Sequence, residues 1–99
     1  MGATSRSPVP GASQYGLAVS SSVVKLTVPA TGRTAEIYVR GASIVFTRDG
    51  TDPTATAGFQ ADVGDIIVLN ARKEVQALEM IRQSTDATVD VEYFTDLST

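Results

Sequence analysis

Ala87-Thr88-Val89-Asp90-Val91-Glu92-Tyr93-Phe94 is the stretch of this 99-residue chain that decides its fold. Its inward positions 87, 89, 91 and 93 are apolar or aromatic, and positions 88, 90 and 92 are polar. Because successive side chains of a β-strand point to opposite faces, this alternation predicts a strand with one buried and one exposed face. Residues 34–40 alternate in the same way, with Ala35, Ile37 and Val39 facing inward.

Short apolar runs separated by turn residues continue this pattern from Gly16 onward. They predict further strands over residues 17–19, 23–28, 43–48, 58–61 and 66–70, the last of them buried. The segment Glu74–Gln83 fits either a helix or a strand, and we favour a strand because its neighbours are strands. The chain is therefore predicted to be an antiparallel β-sandwich of seven or eight strands, jelly-roll-like in topology. Phe46 is expected in its core, together with Ile37, Val68, Val89 and Val91.

The first 15 residues differ from the rest of the chain. They are rich in Gly, Pro, Ser and Thr, and they show neither the helical nor the strand period. This composition predicts an extended N-terminal arm over residues 1–15, followed by a sandwich domain over residues 16–99. We expect the arm to dock on a neighbouring subunit through Pro8, Val9, Pro10 and Tyr15, and its removal to leave the thermal midpoint of the domain nearly unchanged.

The composition argues against most kinds of catalytic and cofactor site. The chain contains no His and no Cys, which removes imidazole acid–base catalysis, thiolate nucleophiles and the ligands that zinc and copper prefer. We predict no enzyme activity and no cofactor, and a glycosidase that uses paired carboxylates is the enzyme alternative. The net charge of −3 without a basic stripe predicts no nucleic-acid partner, and the absence of a long apolar run predicts no membrane span.

Two local features are candidate binding sites. The sequence Asp49-Gly50-Thr51-Asp52 could supply oxygen ligands to a cation such as Ca²⁺, but it lacks the later ligands of an EF-hand loop, and a simple turn is favoured. Tyr38 and Phe94 lie at outward positions of their strands. Exposed aromatic residues at such positions favour contact with another subunit. A platform for stacking sugars, formed by Tyr38, Phe59, Tyr93 and Phe94, is the alternative.

Three stretches of the chain resemble small β-sandwich proteins encoded among the virion genes of tailed bacteriophages. They are residues 44–54 (IVFTRDGTDPT), 84–94 (STDATVDVEYF) and 34–39 (TAEIYV), and the resemblance extends over residues 23–94. The turn motif in residues 49–54 also resembles sandwich domains appended to chitin-degrading enzymes.

The phage resemblance implies a capsid decoration protein, made in the host cytoplasm and located on the capsid surface of the virion. Such a protein binds the major capsid protein, bridges neighbouring capsid subunits and self-associates on the lattice. The chitinase resemblance keeps a carbohydrate-binding module as the alternative function, and another head or tail accessory protein is a further one.

Overall fold

The computed structural model describes residues 9–95 of the chain, which form two antiparallel β-sheets and one short helix. This arrangement confirms the predicted all-β fold. In chain order, the elements are β1 (Val9–Val19), β2 (Val24–Lys25), β3 (Thr34–Arg40), β4 (Ile44–Thr47), β5 (Phe59–Ala61), β6 (Ile66–Leu69), α1 (Arg72–Ala77), β7 (Glu79–Arg82) and β8 (Ala87–Thr95).

The two sheets contain four strands each. Sheet 1 has the order β1-β8-β3-β6 and sheet 2 has the order β2-β7-β4-β5. The pairing is nested: the first strand pairs with the eighth, the second with the seventh, the third with the sixth and the fourth with the fifth. Every connection except β4–β5 crosses from one sheet to the other. This arrangement places the inner faces of the two sheets against each other as a sandwich.

The centre of sheet 1 is the pair β3 and β8, whose alternation was read from the sequence. Ile37 lies opposite Val91, and Val39 lies opposite Val89. The inward residues of both strands are buried, as predicted, in a core that also receives Ile44, Leu69, Leu78 and Met80. The periodicity of these two strands therefore determines which faces form the core.

The segment Glu74–Gln83 divides at Leu78 into a helical part and a strand. α1 ends before Leu78, whose extended backbone (ψ 131°) begins the passage into β7. The side chain of Glu74 accepts a hydrogen bond from the backbone N–H of Asn70 (3.0 Å), and Val75 is the buried residue of the helix. The favoured strand is thus present only in the second half, as β7, whereas the first half lies outside both sheets and belongs to the short helix α1.

The predicted boundary between residues 15 and 16 requires correction. β1 runs without interruption from Val9 to Val19 along β8, so residues 9–15 belong to sheet 1. Two register shifts in β1 absorb the residues that break the alternation, which is why the sequence pattern did not reveal the strand. Pro8 and the residues before it lie outside the described part of the chain.

The prediction that residues 66–70 form a buried strand is wrong for alternate residues. Ile66 is 51% exposed and Val68 is 47% exposed, because β6 is the edge of sheet 1 and the sandwich covers only its inner face. Val68 is consequently not a core neighbour of Phe46. Phe46 itself is partly buried and packs against the core, whereas Ile37, Val89 and Val91 are fully buried as expected.

Candidate functional site

Four side chains form a row across the outer face of sheet 1. Asp90 of β8 lies opposite Tyr38 of β3, and Tyr38 lies opposite Ile66 of β6. On the other side of Asp90, β1 contributes Tyr15. We call these four residues the tyrosine row. Since neighbouring strands are about 4.8 Å apart, the row extends about 15 Å across the sheet.

A bulge in β1 places Tyr15 in this row. Tyr15 and Gly16 together occupy the position opposite Asp90. Gly16 has a positive φ of 67°, which a residue with a side chain rarely adopts, and its N–H donates to Oδ1 of Asp90 (2.8 Å). The side chain of Tyr15 is 78% exposed, the largest exposure among the large hydrophobic residues of the described chain.

A groove of about 410 Å³ lies between the two tyrosines. Arg40 donates to Oδ2 of Asp90 (2.7 Å), and this hydrogen bond, followed by the one from Gly16, holds the pKa of Asp90 below its usual range. The hydroxyl of Tyr38 donates to Oε1 of Glu36 (2.8 Å), which raises the pKa of the tyrosine. The groove therefore combines aromatic surface with the fixed carboxylate of Asp90 and the guanidinium of Arg40.

Phe94 lies on the same outer face as the tyrosine row but at a distance from it. It is four residues beyond Asp90 along β8, which corresponds to about 13 Å. It lines a second groove of about 250 Å³, together with Glu36 and Val68. Sequence analysis thus places Tyr38 and Phe94 on the correct face, and the structure brings Tyr15, but not Phe94, beside Tyr38.

Two of the remaining predicted contact residues, Val9 and Pro10, lie at the start of β1. Val9 lies opposite Thr95, and Pro10 lies opposite Phe94, both in β1. Pro8 is outside the described residues. The two described positions therefore belong to the end of sheet 1 and not to a separate arm.

A second exposed apolar region lies at the open side of the sandwich, where β5 and β6 are the edges. Of the aromatic residues considered for a sugar platform, Phe59 lies here, whereas Tyr93 is buried in the core and cannot take part. Phe59 of β5 is largely exposed, with the guanidinium carbon of Arg48 5.8 Å from its ring centroid. Ile66 and Val68 of β6 line the same groove of about 410 Å³ as Phe59. Sequence analysis missed the exposure of Ile66 and Val68, because a four-residue apolar run is equally typical of a fully buried strand.

The candidate calcium loop has the geometry of a turn. The N–H of Thr51 donates to Oδ1 of Asp49 (3.0 Å), and the hydroxyl of Thr47 donates to the carbonyl of Thr51. Gly50 supplies the positive φ of 85° that the turn requires. In the part of the chain that the structure describes, no three His, Cys, Asp or Glu side chains are grouped so that they could hold a metal ion.

Next to this turn lies the buried carboxyl group of Glu79. Glu79 is only 4% exposed, and its Oε2 is 3.9 Å from the ammonium of Lys25. A hydrogen bond with the carboxyl group of Asp52, followed by burial, raises the pKa of Glu79. Since two carboxylates cannot share a hydrogen bond without a proton, this contact is favoured at acidic pH.

The Glu79→Gln variant should change the pH dependence of stability. A raised pKa in the folded state means that the folded protein retains this proton above about pH 4.3, where an unfolded Glu has lost it. The stabilisation is therefore present at low pH and is lost as the pH rises through the raised pKa. We expect Glu79→Gln to gain stability relative to the parent between pH 4 and neutral pH, measured by urea titration at several pH values.

Asp52→Asn tests the cause of this pH dependence, because it removes the partner carboxyl group and keeps Glu79. It should reduce the slope of stability against pH in the same window. Equal slopes in the parent and both variants would contradict the assignment of this proton to the Glu79–Asp52 contact.

Comparison with known proteins does not assign the chain to a family: no family model matches it, and no curated protein or solved structure is significantly similar. Within residues 9–95, no helix has the length and apolar character needed to cross a membrane.

Proposed function

We propose that this chain is a structural protein of a bacteriophage virion, which decorates the capsid by binding the major capsid protein and bridging neighbouring subunits. The observation that carries the proposal is the tyrosine row with Val68 beside it. These residues form one exposed, partly apolar surface on the outer face of sheet 1.

The composition of this face suits a protein partner. Tyrosine is enriched in protein interfaces because it offers a large apolar area and a hydroxyl group that can bind at the margin. Arg40 and Asp90 form an ion pair beside Tyr38, so a partner also meets fixed charges that determine its orientation. An exposed apolar surface bordered by polar groups is typical of an interaction site.

On a capsid lattice, such a surface would stabilise the shell. One copy that contacts two capsid subunits adds the free energy of its contacts to the free energy needed to separate those subunits. Many copies repeat this contribution over the shell, so a modest affinity per copy is sufficient. We also propose that the sandwich is a jelly roll, since the nested pairing of first with eighth through fourth with fifth strand supports that topology.

Removal of the exposed tyrosines should weaken capsid binding. We expect the double variant Tyr15→Ala/Tyr38→Ala to bind purified expanded heads at least tenfold more weakly than the parent, about 1.4 kcal/mol. Binding is measured by co-sedimentation with heads of the phage that encodes the chain. Val23→Ala is the matched control, because Val23 is an exposed apolar residue outside the tyrosine row.

Two outcomes of this assay would count against the proposal. One is that the parent protein does not bind the heads at any concentration, and the other is that the double variant binds as tightly as Val23→Ala. Deleting residues 1–8 in the same assay tests separately the capsid contact expected for Pro8.

A carbohydrate-binding module is the second candidate, and the groove between Tyr15 and Tyr38 favours it. Aromatic rings beside carboxylates, here Asp90 and Glu92, provide stacking surfaces and hydrogen-bond acceptors for sugar hydroxyls. A glycan array separates the two candidates. Binding to a defined glycan that Tyr38→Ala abolishes, without binding to heads, would establish the second function in place of the first.

A further inference from the structure

The four edge strands of the two sheets differ in how well they are protected against pairing with another chain. β1 is interrupted by two bulges, and β2 and β5 contain two and three residues. β6 contains four residues, Ile-Ile-Val-Leu, with no Pro, no charged residue and no bulge within it. Natural edge strands usually avoid pairing with another chain by being short or by carrying a bulge, a proline or a charged residue. β6 is therefore the edge with the least protection against such pairing.

The hydrogen bonds at the start of β6 show which of its backbone groups face outward. Gly64 donates to Val39 (2.9 Å), and Val39 donates to the carbonyl of Asp65 (3.0 Å), as in a bulge with glycine at its first position. Bonded pairs then alternate along the ladder, so residues 67 and 69 bond to β3. The N–H and C=O groups of Ile66 and Val68 consequently point away from the sheet.

We propose that β6 pairs antiparallel with β6 of a second copy of this chain. In this register, Ile66 lies opposite Val68 of the second copy, and the two-fold axis passes beside Ile67. The outward N–H and C=O groups of both residues are then bonded between the copies. Sheet 1 of one copy and sheet 1 of the second copy then form one continuous sheet of eight strands.

The sequence around β6 favours a second copy as the occupant of this edge. The strand is free of charge, so two copies meet without repulsion along it, and the exposed halves of Ile66 and Val68 cover each other. Asp62 and Asp65 precede the strand, whereas the exposed Lys73 follows it. Antiparallel pairing brings the acidic end of one copy toward the basic end of the other, and parallel pairing would bring like charges together.

A two-fold pair also closes the assembly, because the same edge is used by both copies and no β6 edge remains open. The inference does not rest on capsid binding, since the pairing takes place in the isolated protein. It nevertheless extends the proposed function. Two tyrosine rows on one continuous face would let a dimer bind two equivalent positions of a lattice, with the gain in avidity that linkage provides.

Val68→Pro tests the backbone pairing directly. Proline removes the N–H that points outward and spares the hydrogen bonds to β3, a position where edge strands tolerate it. Sedimentation of the full chain from about 10 µM to about 1 mM should show dimerisation of the parent, and at least tenfold weaker association for Val68→Pro. Circular dichroism and the thermal midpoint check that the variant is folded.

A lysine pair provides a second test that does not depend on proline. Val68→Lys places two ammonium groups across the proposed interface and should weaken association at least tenfold, whereas Val23→Lys makes the same change at an exposed valine elsewhere and should not. Amide exchange gives an independent readout: the amides of Ile66 and Val68 should become protected as the concentration rises. A parent that stays monomeric up to about 1 mM, or a folded Val68→Pro that associates like the parent, would overturn the proposal.

Discussion

The Tyr93→Ala variant should be less stable than the parent by about 3–5 kcal/mol. Tyr93 is 1% exposed and is the largest fully buried side chain of the described core. Burial raises its pKa to about 12. Its removal loses the transfer free energy of the ring and leaves a cavity between the two sheets, which are close-packed around it. Urea denaturation of both proteins measures the difference.

Two further tyrosine variants separate the effects that Tyr93→Ala combines. Tyr38→Ala makes the same change on the neighbouring strand β3 at an exposed position, and we expect a loss below about 1 kcal/mol. Tyr93→Phe keeps the ring and removes only the hydroxyl that donates to Gln14, with an expected loss of about 1 kcal/mol. A Tyr93→Ala variant as stable as Tyr38→Ala would contradict the register of β8, which places Tyr93 in the core.

Deleting residues 1–15 should also destabilise the domain strongly, contrary to the expectation from composition. The deletion removes the part of β1 that pairs with Val91–Thr95 of β8. It also removes Gln14, whose side-chain carbonyl accepts hydrogen bonds from the hydroxyl of Tyr93 and the N–H of Thr27 (3.2 Å). The hydroxyl of Tyr93 is a partly buried donor, and leaving it without a partner costs about 1–3 kcal/mol. Together with the lost pairing between β1 and β8, we expect a total loss of about 3 kcal/mol or more.

Differential scanning calorimetry tests this deletion through the thermal midpoint. A loss of about 3 kcal/mol corresponds to a fall of more than about 12 °C for a domain of this size. Deleting only residues 1–8 is the matched control, because it leaves all of β1 in place and should retain most of the stability. Equal midpoints for both deletions would restore the boundary at residue 15 and show that the first half of β1 contributes nothing to the sandwich.

The candidate site could be predicted from the sequence only where strand alternation is regular. Tyr38 lies between Ile37 and Val39, and Phe94 follows Tyr93. Because these neighbours are predicted to face inward, both aromatic residues are predicted to lie on the outer face. The position of Tyr15 beside Asp90 could not be read in this way. It depends on a bulge in β1, and a bulge shifts the alternation by one residue without a reliable signal in composition.

The sequence by itself determined the all-β class and the inner faces of β3 and β8, because the period of two is a property of each strand alone. It also determined the turn at Asp49–Asp52, whose hydrogen bonds form between residues close in the chain. Only the tertiary structure decided that β6 is an edge, that residues 9–15 join sheet 1, and that residues 72–77 become helical. Those outcomes depend on pairing between strands that are distant in the sequence. The apolar sequence Ile-Ile-Val-Leu, for example, is the same whether one or both faces of its strand are covered.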